Sequence, residues 1–115
     1  MAFIKENKDQ PFFVNVWLHE SHTPHVPTPE SMEKWKQLDE QKQVYSAVIS
    51  DGDNAVGLIL DALKMEGLAD NTIVMFTSDH GPWFEGAAAP VRGRKFETWD
   101  GGILVPCLLR WPGVV

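Results

Sequence analysis

Gly67-Leu68-Ala69-Asp70-Asn71-Thr72-Ile73-Val74-Met75-Phe76-Thr77-Ser78-Asp79-His80-Gly81 is the stretch whose reading decides the fold. Asp70-Asn71-Thr72 is a turn by composition. Residues 73–77 are apolar, β-branched and aromatic, and predict a buried strand. The run stops abruptly at Ser78-Asp79-His80-Gly81. In open α/β sheets, ligands bind beyond the carboxyl ends of strands. Asp79 and His80 therefore stand where such a fold places its chemistry.

Upstream, Val44, Val48, Val56, Ile59, Leu60 and Leu63 recur with a period near 3.6 and predict one long helix over residues 40–66. Gly52 and Gly57 weaken it and suggest a kink or a close helix contact. Gly67 is placed as its C′ residue. Residues 30–37 predict a short helix, with Met32 and Trp35 inward. Residues 19–31 hold His19, His22, Pro24 and His25 in quick succession, then Pro27 and Pro29, and read as a loop. Before that loop, residues 12–18 (Phe-Phe-Val-Asn-Val-Trp-Leu) predict a strand buried on both faces of a parallel sheet. Residues 2–8 read as the last turns of a helix, so the chain is expected to begin inside an element.

Downstream, residues 78–102 form a long Gly-, Pro- and Ala-rich loop, and residues 103–110 a third strand closed by Trp111-Pro112-Gly113. Strand, helix, strand, loop, strand is an α/β pattern. The long helix makes a right-handed crossover between the first two strands the natural expectation. The expected architecture is one α/β unit over residues 1–115, a partial sheet of mostly parallel strands with a long crossover helix. Strands with missing neighbours would leave apolar edges open to association.

Composition bounds what such a fold can do. Hydrophobic residues make up 43% and charged residues 23% of the 115, ordinary for a globular chain. The formal net charge of −6 opposes a nucleic-acid partner, which needs a basic face. It leaves room for a small anion held by a local cluster of positive charge. No stretch approaches the roughly 20 apolar residues of a membrane span, and the first residues lack the apolar region of a signal peptide. The single cysteine, Cys107, lies in an apolar run and reads as a buried core thiol.

The chemistry-bearing residues are few. A carboxylate beside an imidazole at a strand end, Asp79 and His80, can reach one divalent ion, and Gly81 permits the turn this needs. On the dipeptide alone an ordinary exposed turn is the simpler reading. His22 is likewise simplest as a packed or solvated loop side chain. His19-Glu20 opens like a zinc-protease motif, but position 23 is Thr23 and Pro24 opposes the required helix, so that reading fails. Arg92-Gly93-Arg94-Lys95 is a dense positive patch on the loop that Asp79 begins, suited to an anion held beside a metal. Alone it would be a solvated basic loop.

Taken together and in order, these pieces resemble the sulfatase family of the alkaline-phosphatase-like superfamily. The resemblance runs through nearly the whole chain. Pro11-Phe12-Phe13 and His22-Thr23-Pro24 look like one family segment, and Tyr45 through Asp53-Asn54-Ala55-Val56-Gly57 like its helix. The stretch quoted first is its most recognisable part. Lys95, Thr98-Trp99-Asp100-Gly101-Gly102, Val105-Pro106 and Arg110-Trp111-Pro112-Gly113 complete it. Each motif is weak alone; five in order are a strong signal.

The resemblance implies roles. Asp79 would be a metal ligand, and His80 a ligand or a donor behind it. His22 and Lys95 would be catalytic donors to the sulfate oxygens, stabilising charge as the ester bond breaks. The metal would be calcium, with manganese or zinc favoured by the imidazole of His80, since the family often has Asn there. The substrate would be a small-molecule or carbohydrate sulfate ester, and the parent protein exported or lysosomal.

There are departures. The family's nucleophile is a cysteine oxidised to formylglycine in a Cys-x-Pro/Ser/Ala-x-Arg motif, and Cys107-Leu108-Leu109-Arg110 does not match it. The paired aspartates that complete the metal site, the mid-domain Lys and His, and the C-terminal subdomain have no counterpart. Asp100 stands where Glu is usual. The chain is thus expected to be the C-terminal portion of an N-terminal catalytic domain, inactive alone, with the formylglycine upstream. Two alternatives remain: a phosphate or phosphonate ester hydrolase of the same superfamily, and a non-catalytic anion- or metal-binding remnant.

Overall fold

The computed structural model describes residues 1–83 and 86–115, so positions 84 and 85 of the expected 78–102 loop lie outside the described residues. The chain forms two compact units, Met1–Ala69 and Asp70–Val115.

The first unit is helical. Helix α1 spans Ala2–Asn7 and buries Ile4. The Asn7 amide caps it backwards, donating to the Phe3 carbonyl at 2.8 Å. Helix α2 spans Pro29–Lys34. Its start follows from sequence: Thr28 Oγ1 accepts from the Ser31 amide, and Pro29 occupies the position where a missing N–H costs nothing. Helix α3 spans Glu40–Met65, 26 residues, within a residue of the expected span. Asp39 caps it by accepting from the Lys42 amide at 3.2 Å. Leu68 N donates to Leu63 O at 2.8 Å and Gly67 N to Lys64 O at 3.1 Å, with Gly67 at φ +72°. That pair of bonds is the Schellman ending, and it makes Gly67 the C′ residue as expected.

The apolar stripe of α3 is the core of this unit. Ala47, Val48 and Leu63 are buried, and Ile4 joins them. The helix runs unbroken through both glycines. A Cβ on Gly52 would sit 3.4 Å from the Glu20 side chain, so the close neighbour there is a loop rather than a helix. Helix α2 is fixed to α3 by polar bonds. Trp35 Nε1 donates to Ser50 Oγ at 2.8 Å, and Gln43 Nε2 to the Met32 carbonyl at 2.8 Å.

Residues 12–18 depart from expectation. They run without regular structure, and Phe13 and Trp17 are 88% and 87% exposed. β-Branched and aromatic residues fit a pleated surface, but a strand exists only where a neighbour satisfies its N–H and C=O groups. None of the described residues pairs with this segment.

The second unit opens with the 3-10 turn Ala69–Asn71 and carries strands β1 (Val74–Thr77) and β2 (Cys107–Arg110). They pair antiparallel, with Val74 opposite Arg110 and Thr77 opposite Cys107. The α/β class holds, but the ladder observed is antiparallel where mostly parallel strands were expected. The third strand is also shorter than expected. Residues Asp100–Ile103 form a helical turn, α4, and Pro106, which has no N–H to donate, precedes the ladder. Cys107 is exposed, correcting the expectation of a buried thiol: both faces of β2 are open, because none of the described elements covers them. Met75, Phe76, Leu108 and Leu109 are exposed with it. Among the described residues, no helix is long and apolar enough to cross a membrane.

Candidate metal and anion site

Strand β1 delivers its chain into a tight turn. Ser78 Oγ donates to the His80 carbonyl at 3.1 Å, and Thr77 Oγ1 to the Pro106 carbonyl at 3.1 Å. The turn brings the expected ligand pair together: His80 Nε2 lies 3.1 Å from Asp79 Oδ2. His80 Nδ1 lies 2.9 Å from the Gly81 carbonyl. A carbonyl only accepts, so Nδ1 carries the hydrogen, and in the neutral ring Nε2 turns its lone pair toward Asp79. A lone pair facing a carboxylate oxygen needs a proton or a cation between them. Two ligands at right angles on one ion, with bonds of about 2.1 Å, stand about 3.0 Å apart. The pair therefore fits part of a coordination shell. It is not a whole one: among the described residues, no group of three or more His, Cys, Asp or Glu is placed to hold an ion.

Asp79 is solvent-facing, its side chain 81% exposed, whereas His80 is 36% exposed. What holds the turn is backbone. Gly81 N donates to Gly102 O at 2.9 Å, Gly101 N to Arg92 O at 2.7 Å, and Lys95 N to Pro82 O at 2.9 Å. A Cβ on Gly81 would collide with the Gly101 carbonyl, and one on Gly102 with the Glu97 carbonyl. Only glycine allows main chains to approach this closely. The loop carrying Asp79 and His80 is thus tied to the loop carrying Lys95.

The basic patch is laid over aromatic rings. The Arg92 guanidinium lies 4.1 Å from the Trp99 ring centroid and Arg94 5.7 Å from that of Trp83. The Lys95 amine lies 5.2 Å from the Phe96 centroid. Among the described residues no carboxylate pairs with the Lys95 amine.

His22 lies in the first unit and is exposed. Its amide donates to the His19 carbonyl at 2.8 Å, and its Nδ1 reaches the Thr23 carbonyl at 2.7 Å. Nδ1 is again the hydrogen-bearing nitrogen, and Nε2 is left open. Two features of this unit escaped the sequence. Asp51 accepts from Thr28 N at 2.7 Å, Thr28 Oγ1 at 2.8 Å and Ser31 Oγ at 2.6 Å. It also lines a pocket of about 160 Å³ with His19, Glu20 and Thr28, and the Glu20 Oε2 atom is buried with no hydrogen-bond partner among the described residues. The Thr-Pro-Glu-Ser helix start was readable as a cap; its third partner, an aspartate on a distant helix, was not.

An α/β scaffold with a carboxylate–imidazole pair at a strand end, tied to a lysine loop, defines no single family by itself. Comparison with known proteins narrows this. The family profile described as Sulfatase matches residues 1–115. The steryl-sulfatase of Rattus norvegicus is 37% identical over 98% of this chain and 20% of its own length. The arylsulfatase of Hemicentrotus pulcherrimus is 31% identical over 100% of this chain and 21% of its own. Among solved structures, Ps i-CgsB in complex with k-i-k-neocarrahexaose superimposes with a TM-score of 0.90 at 30% identity, over 97% of this chain and 26% of that one. The chain belongs to the sulfatase family. It spans about a fifth of the length of the curated relatives it matches.

Proposed function

We propose that this chain is part of a metal-dependent sulfuric ester hydrolase, the C-terminal portion of an N-terminal catalytic domain, and that it is inactive alone. Asp79 and His80 are two of the metal ligands. Lys95 and His22 are the donors to the sulfate oxygens. The remaining ligands and a formylglycine nucleophile come from sequence upstream in a longer, exported or lysosomal protein. Residues 12–18 become a strand there, within a mostly parallel sheet that supplies the neighbour they need. The substrate is a small-molecule or carbohydrate sulfate ester.

The observation that carries this reading is the 3.1 Å approach of His80 Nε2 to Asp79 Oδ2, on a loop bonded to that of Lys95. A bound divalent ion, calcium or manganese, would neutralise sulfate charge and orient the nucleophile. The residues of this chain would do the rest. Lys95 places a positive charge on a sulfate oxygen. His22 has its Nδ1 taken up by the Thr23 carbonyl, so only as the imidazolium does its Nε2 carry a hydrogen for a sulfate oxygen. Gly81 and Gly102 hold the two loops so that Asp79, His80 and Lys95 need no rearrangement during reaction.

Manganese titration followed by NMR tests the metal half. Signals of Ser78, Asp79, His80 and Gly81 should broaden first, and Asp79→Ala should abolish that selectivity. Broadening spread evenly over the acidic surface, or unchanged in Asp79→Ala, would remove Asp79 from the site. The two-ligand count also keeps a second reading in play, a remnant that binds metal or anion without turnover.

A further inference from the structure

Residues 94–97 form a turn closed by Glu97 N donating to Arg94 O at 2.9 Å. Its third residue, Phe96, has φ +71°. A positive φ at that position is the requirement of a type II turn, which Gly or Asn meets without strain. A bulky side chain there is an outlier. Burial does not compensate, because Phe96 is 83% exposed. Strain of this kind gathers at functional positions, and the inference runs from the outlier to the function.

The surroundings say what the ring is held for. Phe96 meets Trp83 edge to face, with centroids 5.5 Å apart and planes at 78°. Arg94 lies over the Trp83 ring, and Trp83 is 40% exposed against 83% for Phe96, so Trp83 serves as the buttress and Phe96 presents the larger open surface. The Lys95 amine lies over the Phe96 ring at 5.2 Å. A sulfate oxygen bonded to that amine brings the organic part of its ester beside the ring.

We infer that Phe96, braced by Trp83, is a specificity wall that packs against the ring of a ring-bearing sulfate ester whose sulfate is held by Lys95. This deepens the reading proposed above and rests on its assignment of Lys95. The shared chemistry is a flat or C–H-rich ring face against an aromatic face, next to an anion on a cation. Aryl and saccharide sulfates both present it; an inorganic or short alkyl sulfate does not.

The test titrates the 115-residue chain with inorganic sulfate, phenyl sulfate and a monosulfated hexose, reading the Lys95 amide signal by NMR. At least one ring ester should bind about threefold to tenfold more tightly than inorganic sulfate. Phe96→Gly should bring the ring esters to parity with sulfate, and Phe96→Tyr should restore the preference. Phe96→Gly should not lower the melting temperature, since it relieves the turn; a ring kept only for structure would lower it. Preference for phenyl sulfate or for the hexose assigns the source of the ring, and either supports the wall. Parity in the unaltered chain, or a preference that survives Phe96→Gly, overturns it. If inorganic sulfate leaves the Lys95 signal unmoved, the assignment of Lys95 fails and takes the wall with it.

Discussion

Ser31 and Asp51 join two helices through a single short bond, Ser31 Oγ donating to Asp51 Oδ1 at 2.6 Å. The same carboxylate takes the amide and hydroxyl of Thr28, so one side chain of α3 holds the whole first turn of α2. Asp51→Ala leaves those donors without their acceptor. It should destabilise the first unit by about 1–3 kcal/mol, measurable by urea denaturation. An unchanged midpoint would show the bonds to be incidental.

The same site fixes a pH dependence. The Ser31 hydroxyl holds the Asp51 carboxyl below its ordinary value; partial burial opposes this, and the Thr28 amide and hydroxyl add to it. Glu66, paired with Lys8, and Asp39, paired with Lys42, shift the same way. A carboxyl depressed in the folded state stabilises it fully above the ordinary carboxylate value. That contribution is lost as pH falls through the folded value. Stability should therefore be flat near neutrality and decline below about pH 4. Asp51→Asn should decline less steeply, and a parallel decline would exclude Asp51 as a source.

Gly81→Ala tests the tie between the two loops. Its Cβ meets the Gly101 carbonyl, so the bond from Gly81 N to Gly102 O cannot persist. The expected cost is about 2–4 kcal/mol, with faster amide exchange at Gly81, Lys95 and Gly101. Unchanged exchange at Lys95 would show that its loop stands alone.

The long helix was legible because its stripe repeats over 26 residues and both ends carry caps in the sequence. The approach of His80 to Asp79 was legible because the two are neighbours at a strand end. Residues 12–18 carry a strand's composition but form none here, because a strand is a property of two segments and no described residue pairs with them. Cys107 was misread for the same reason, since its apolar neighbours predict burial only if something covers them. Phe96 carried no signal at all: its neighbours do not announce a turn that wants glycine.

The exposed apolar strands predict association. Met75 and Leu109 are cross-strand partners, 64% and 53% exposed. Sedimentation should show self-association that grows with concentration, and Met75→Lys with Leu109→Glu should shift it toward monomer. A wild-type chain that stays monomeric at high concentration would contradict this.

The isolated chain should not hydrolyse aryl sulfates. Continuous assay with 4-nitrophenyl sulfate and millimolar manganese or calcium should give the buffer rate. Turnover that co-purifies with the chain and disappears in His22→Ala would overturn the expectation and make the chain a catalyst in its own right.

The loops around Asp79 and Lys95 are joined by main-chain bonds through positions 81, 82, 92, 95, 101 and 102. The Trp83, Arg94 and Phe96 side chains add contacts of their own between the loops. They can be exchanged, singly or as a library, while positions 79, 80 and 95 keep their backbone placement. A protein built this way can change which molecules it prefers without re-engineering where it holds them.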